Sequence, residues 1–76
     1  PEEKFDTILA NINRNVLLDY MEGLVKVVNE NGLVLFSGLL AADADVITTA
    51  AAMHGLELMK KEERSGWVSL LFVKQR

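Results

Sequence analysis

Residues Phe5–Asn15 read FDTILANINRN, and the change of pattern inside this stretch decides the fold. Ile8, Leu9 and Ile12 lie in an apolar run, Phe5–Ile12, that is too short for a helix of ordinary length. It reads as a strand buried on both faces, as strands of parallel sheets are. Asn11, Asn13 and Asn15 follow within five residues, and from Val16 the spacing is different. Leu17, Tyr20, Met21, Leu24, Val25 and Val28 recur at steps of three and four, with Asp19, Glu22 and Lys26 between them. That is the period of an amphipathic helix. Either Asn13 or Asn15 can supply its N-cap, accepting a hydrogen bond from an otherwise unpaired backbone N–H.

Outward from this strand-to-helix junction the same unit repeats. Asn29 and the Asn31-Gly32 pair are expected to end the helix, because Asn and Gly tolerate the left-handed conformation. Leu33–Leu40, LVLFSGLL, is a second continuous apolar run and reads as a second buried parallel strand. Asp43 is placed as an N-cap and Asp45 as a first-turn anion of a second helix. Val46, Ile47, Ala50, Ala51 and His54 would form its face, with Gly55 just past its end. Leu56–Glu63 alternates, Arg64–Gly66 reads as a turn, and Trp67–Lys74 is a last strand. Right-handed crossovers make the first two strands parallel, and the hairpin adds two antiparallel ones. The expectation is an α/β fold: one mixed sheet of four strands with two helices, ending in an antiparallel hairpin.

Composition narrows the function classes. With 76 residues there is room for one domain, and half of them are hydrophobic. The net charge is −3, and the eight Lys and Arg form no run longer than Lys60-Lys61. Nucleic-acid and membrane-surface binding are therefore not expected. The absence of cysteine fits a reducing compartment, and no apolar stretch reaches the length of a membrane span. PEEKF at the start lacks the character of a signal sequence, so a cytoplasmic location is expected. His54 is the single histidine, so no histidine cluster for a metal is available. Asp43 and Asp45 are explained by the helix start, and Ser37 has no His or Asp partner that would make it a nucleophile. Glu62, Glu63 and Arg64 read as a solvated turn, and Trp67 as a packing residue of the hairpin.

The first strand raises a question of cover. It is apolar on both faces, yet as the first element it would lie at the sheet's edge, where only Asp6 discourages pairing with another chain. Another part of the same protein, or a second copy, is expected there. Pro1 in place of an initiator Met is compatible with a fragment of a longer protein.

Taken together, these features resemble the C-terminal half of a class I, Rossmann-like S-adenosylmethionine-dependent methyltransferase. They are most similar to the family that methylates ribosomal protein L-eleven. The resemblance is carried by Ala10-Asn11-Ile12 at the first strand's end and by Asn31-Gly32-Leu33-Val34-Leu35-Phe36-Ser37-Gly38. His54-Gly55-Leu56-Glu57-Leu58 and Gly66-Trp67-Val68 complete it. It covers nearly the whole chain, residues 1–76, and implies a sheet order of first, second, fourth, third strand.

The resemblance also implies methyl transfer from S-adenosylmethionine to amino groups of the ribosomal protein. Asn11 matches the strand-end asparagine that accepts hydrogen bonds from the acceptor amine in related enzymes. An amide oxygen can position a neutral amine without adding charge. Read from the residues alone, Asn11 is better explained as a strand-end amide satisfying local backbone groups, and the resemblance reverses that reading. By the same resemblance Ile12 belongs to the pocket wall, with Ser37 and Gly38 at the neighbouring strand end. The family's glycine-rich loop, its ribose-binding acidic residue and its N-terminal substrate-gripping domain have no counterpart here, and no Gly-x-Gly occurs. The chain alone is therefore expected to be inactive, and the alternative is an interaction module that self-associates or pairs through its first strand.

Overall fold

In a computed structural model, which describes residues 3–75, strand β1 (Phe5–Ala10) leads through helix α1 (Arg14–Lys26) to strand β2 (Val28–Leu40). A single 3₁₀ turn (Ala41–Asp43) precedes helix α2 (Ala44–Met53), and β3 (Leu56–Arg64) and β4 (Trp67–Lys74) form the hairpin. Pro1 lies outside the described residues. The sheet order is β1-β2-β4-β3, with β1 and β2 parallel and the other two pairings antiparallel. Class, order and pairing all agree with the expectation.

Element boundaries differ from the sequence reading for local reasons. Helix α1 starts before Val16, because Asn13 is the N-cap and its Oδ1 accepts the Val16 N–H at 2.9 Å. Asn15 is already inside the helix. At the other end the helix stops at Lys26, and Val28 is a fully buried residue of β2 rather than of the helix. The partly buried Lys74 ammonium donates to the Val25 and Val28 carbonyls, each at 2.8 Å, and so closes this junction.

Asn29, Asn31 and Gly32 do not end the helix; they form an irregularity within β2. The partner of Phe5 is Val28 and that of Thr7 is Leu33, so the extra residues bulge between them. Asn31 adopts φ 68° there, as a tight reversal requires. Asp6 and Asn29 tie the bulge across the strands through a 2.7 Å hydrogen bond. A Cβ on Gly32 would lie 2.7 Å from Val28 Cγ1 and 2.8 Å from the Asn29 carbonyl oxygen.

The core occupies one face of the sheet. Val34, Phe36, Val68, Leu70 and Phe72 alternate toward it and meet Leu17, Met21 and Val25 of α1 with Ile47 and Ala51 of α2. Phe36 and Phe72 are in tilted contact, their centroids 5.6 Å apart. In α2 the buried face is Ala44, Ile47 and Ala51. Val46 and His54 are exposed, contrary to expectation, because the buried stripe runs through Ala44, Ile47 and Ala51, which puts Val46 off it, and because the helix ends at Met53, before His54. His54 is instead its C-cap, and Gly55 follows at φ 87°. The hairpin turn is Ser65-Gly66, both with positive φ, as two-residue hairpin loops favour.

Among the described residues, the opposite sheet face has no helix. Across it Leu9, Leu35 and Leu71 stand in register on β1, β2 and β4. The first strand lies at the sheet's edge, as expected, and among the described residues its apolar faces are not buried, with Leu9 73% and Phe5 48% exposed.

Two glycines separate backbone need from tolerance. Gly32→Ala should cost roughly 1–3 kcal/mol in urea unfolding, since its methyl group meets backbone and a buried side chain. Gly23 lies within α1 with open space about it, so Gly23→Ala should stabilise by roughly 0.5–1 kcal/mol in the same measurement.

Candidate functional site

Parallel strands bring their carboxyl ends to one side, where open α/β sheets bind ligands. Here β1 ends with Ala10 opposite Phe36, and Asn11 is the first residue beyond the ladder. Its neighbour β2 is irregular at the same level, where the pairing with β4 shifts between Phe36 and Leu39. Gly38 lies in that interval at φ 74°. A Cβ on Gly38 would fall on the Asn11 Oδ1 atom and 3.1 Å from its Cγ, so the amide of Asn11 occupies the space that a side chain would need. Only glycine combines this backbone conformation with this contact.

Beside the Asn11–Gly38 contact an open cleft of about 300 Å³ is lined by Asn11, Ile12, Arg14, Gly38, Asp43 and Trp67. Asn11 is exposed, and no side-chain hydrogen bond among the described residues uses it. Its oxygen can accept and its nitrogen can donate to a ligand. A second open pocket of about 570 Å³ shares Gly38 and Trp67 and is bordered by Glu62, Glu63 and Arg64.

Of the residues anticipated for the site, Asn11, Ile12 and Gly38 come together. Ser37 is half-buried on β2 and does not line the cleft, because the irregularity turns the chain at Gly38 instead. Other lining residues were not anticipated there, among them Trp67, Arg14 and Asp43. Trp67, expected to pack, is 54% exposed and stands at the cleft because Leu40 pairs with it and the Ala41 N–H donates to the Gly66 carbonyl at 2.8 Å. Asp43 holds the N-cap position of α2, but its side chain makes no capping hydrogen bond. It accepts from Arg14 Nη1 at 3.1 Å. Nothing in the linear spacing of residues 14 and 43 signals that pairing.

The family model described as ribosomal protein L11 methyltransferase (PrmA) matches residues 1–75. The chain belongs to the ribosomal protein L11 methyltransferase family. A relative of that name from Porphyromonas gingivalis is 40% identical over 68 residues, which are 90% of this chain and 23% of that protein. One from Bacteroides fragilis is 35% identical over 69 residues, 91% of this chain and 25% of its own length. The chain thus spans about a quarter of these relatives. Among solved structures, the ribosomal protein L11 methylase of Lactobacillus delbrueckii subsp. bulgaricus superposes with a TM-score of 0.89 at 32% identity. That match covers 97% of this chain and 38% of that one. A complex of M1.HpyAVI with SAM has the same fold at a TM-score of 0.81 and 16% identity, over 96% of this chain and 46% of that one.

The Asn11–Gly38 contact predicts an effect confined to the site. Gly38→Ala should leave the far-ultraviolet spectrum intact, shift the side-chain amide resonances of Asn11, and lower stability by about 1–3 kcal/mol. Unmoved Asn11 resonances in a folded variant would refute the contact.

Proposed function

We propose that residues 1–76 form the acceptor side of the catalytic domain of an S-adenosylmethionine-dependent N-methyltransferase that acts on ribosomal protein L11 in the cytoplasm. Family membership supports the reaction class. The observation that carries the assignment within the chain is the exposed Asn11 amide, held against Gly38 at the parallel strand ends. In this reading S-adenosylmethionine, when bound, supplies an electrophilic methyl group. The residues of this chain receive the other reactant.

Asn11 Oδ1 accepts a hydrogen bond from the neutral acceptor amine and so orients its lone pair. An amide does this without the like-for-opposite attraction by which a carboxylate would favour the charged, unreactive ammonium. Orientation of this kind converts an encounter into a productive geometry and is a substantial source of rate enhancement. Ile12 and Trp67 supply apolar walls that exclude water from the amine. The donor set fits the acceptor half of the reaction. With no Gly-x-Gly turn in the sequence, the groups that hold the nucleoside belong to the rest of the parent protein. The edge of β1 and the Leu9, Leu35, Leu71 row are where that remainder packs.

In a full-length methyltransferase carrying these residues, Asn11→Ala should lower kcat by roughly 10²-fold and change the Kd of S-adenosylmethionine by less than about twofold. Equal loss of both would contradict amine positioning. The open β1 edge favours one competing reading, an interaction module that pairs through this strand. Methyl transfer by the full-length protein, lowered to that extent in its Asn11→Ala variant, would exclude it.

A further inference from the structure

The Arg14–Asp43 pair joins the starts of the two helices across the cleft. Arg14 is the first residue of α1, whose first turn contains no acid, so its cation faces the positive end of the helix dipole. Asp43 occupies the N-cap of α2, where a carboxylate ordinarily accepts from its own helix's N–H groups. It makes no such bond and turns instead to Arg14, 29 residues away in sequence. The Asp43 backbone is helical, at φ −95° and ψ −2°, rather than extended as a capping residue's is, which leaves its carboxylate to Arg14.

Surface ion pairs contribute little to stability, and with side chains 42% and 20% exposed this one is no exception. Its location is more informative. Arg14 follows directly on the Asn11–Asn13 segment that leaves β1, and Asp43 ends the 3₁₀ turn that leaves β2. Both line the cleft that holds Asn11 and Gly38.

We infer that the Arg14–Asp43 ion pair is a brace between the two strand-end segments, and that both are positioning residues for the acceptor amine through Asn11. The inference rests on the methyltransferase reading for its consequence in turnover, though the brace itself is a structural claim. Neither residue is assigned contact with the reacting atoms. The pair fixes the separation of the two walls of the cleft, and so the place of the Asn11 amide relative to Gly38 and Trp67.

The test uses the full-length methyltransferase with Arg14→Ala, Asp43→Ala and the charge-exchanged double variant Arg14→Asp/Asp43→Arg. In each single variant, amide hydrogen exchange at residues 11–13 and 39–43 should rise roughly tenfold, while the β4 core around Phe72 stays protected. Turnover should fall about tenfold with the Kd of S-adenosylmethionine unchanged, and the exchanged pair should recover both properties. Unchanged exchange in the single variants would overturn the brace. Faster exchange with full turnover would overturn its positioning role, as would a loss of turnover that the exchanged pair does not recover. If the unaltered protein transfers no methyl group, the methyltransferase reading fails, and the exchange measurements alone decide whether the brace exists.

Discussion

The close approach of Asn11 to Gly38 is the constraint around which the strand ends are arranged. It needs two things of β2: a residue without a Cβ, and a backbone at φ 74° that breaks the ladder with β4. Those same features end the regular part of the sheet on one level. The chain then leaves β1 at Asn11 and β2 after Leu40, and Asn13 starts α1 immediately beyond. A polar amide thereby stands at the mouth of a cleft without being consumed by its own backbone. A strand-end asparagine opposite an ordinary residue would have to point elsewhere.

Behind that site lies a one-sided structure. Both helices and one parity of each inner strand make a single core, in which Phe36 and Phe72 are fully buried. Among the described residues, the other sheet face and the β1 edge carry apolar residues with no cover. An open edge of this kind is normally protected by charge or by another element. Protection is instead visible on the opposite edge, where β3 is almost wholly exposed and carries Glu57, Lys60, Lys61, Glu62 and Glu63. The asymmetry fits a chain that spans about a quarter of its relatives' length.

Much of this was legible in the sequence, and the reasons are physical. Two continuous apolar runs separated by a helical period specify parallel strands, and the Ser65-Gly66 turn specifies the hairpin, because burial and left-handed backbone leave unambiguous marks. Boundaries were less legible. Val28 satisfies the helical period and yet belongs to β2, since a hydrophobic residue at a junction fits both neighbours and Lys74, far along the chain, decides between them. Asn31-Gly32 signalled a left-handed turn correctly but not whether it closed a helix or bulged a strand. Of the residues that the resemblance implied, Asn11, Ile12 and Gly38 line one cleft. Ser37 lies beside Gly38 on β2 but does not line the same cleft. Trp67, Arg14 and Asp43 are brought there by tertiary pairing alone, which no local spacing encodes.

The central claim is that this geometry presents Asn11 to an acceptor amine. A crystal structure of the full-length methyltransferase bound to a bisubstrate analogue, in which an acceptor amino group is tethered to the adenosylmethionine skeleton, tests it most directly. The account predicts Asn11 Oδ1 within hydrogen-bond distance of the acceptor nitrogen, about 2.7–3.2 Å, with Gly38 still at positive φ beneath it. An acceptor nitrogen bound elsewhere, with Asn11 turned to backbone groups of its own chain, would contradict it.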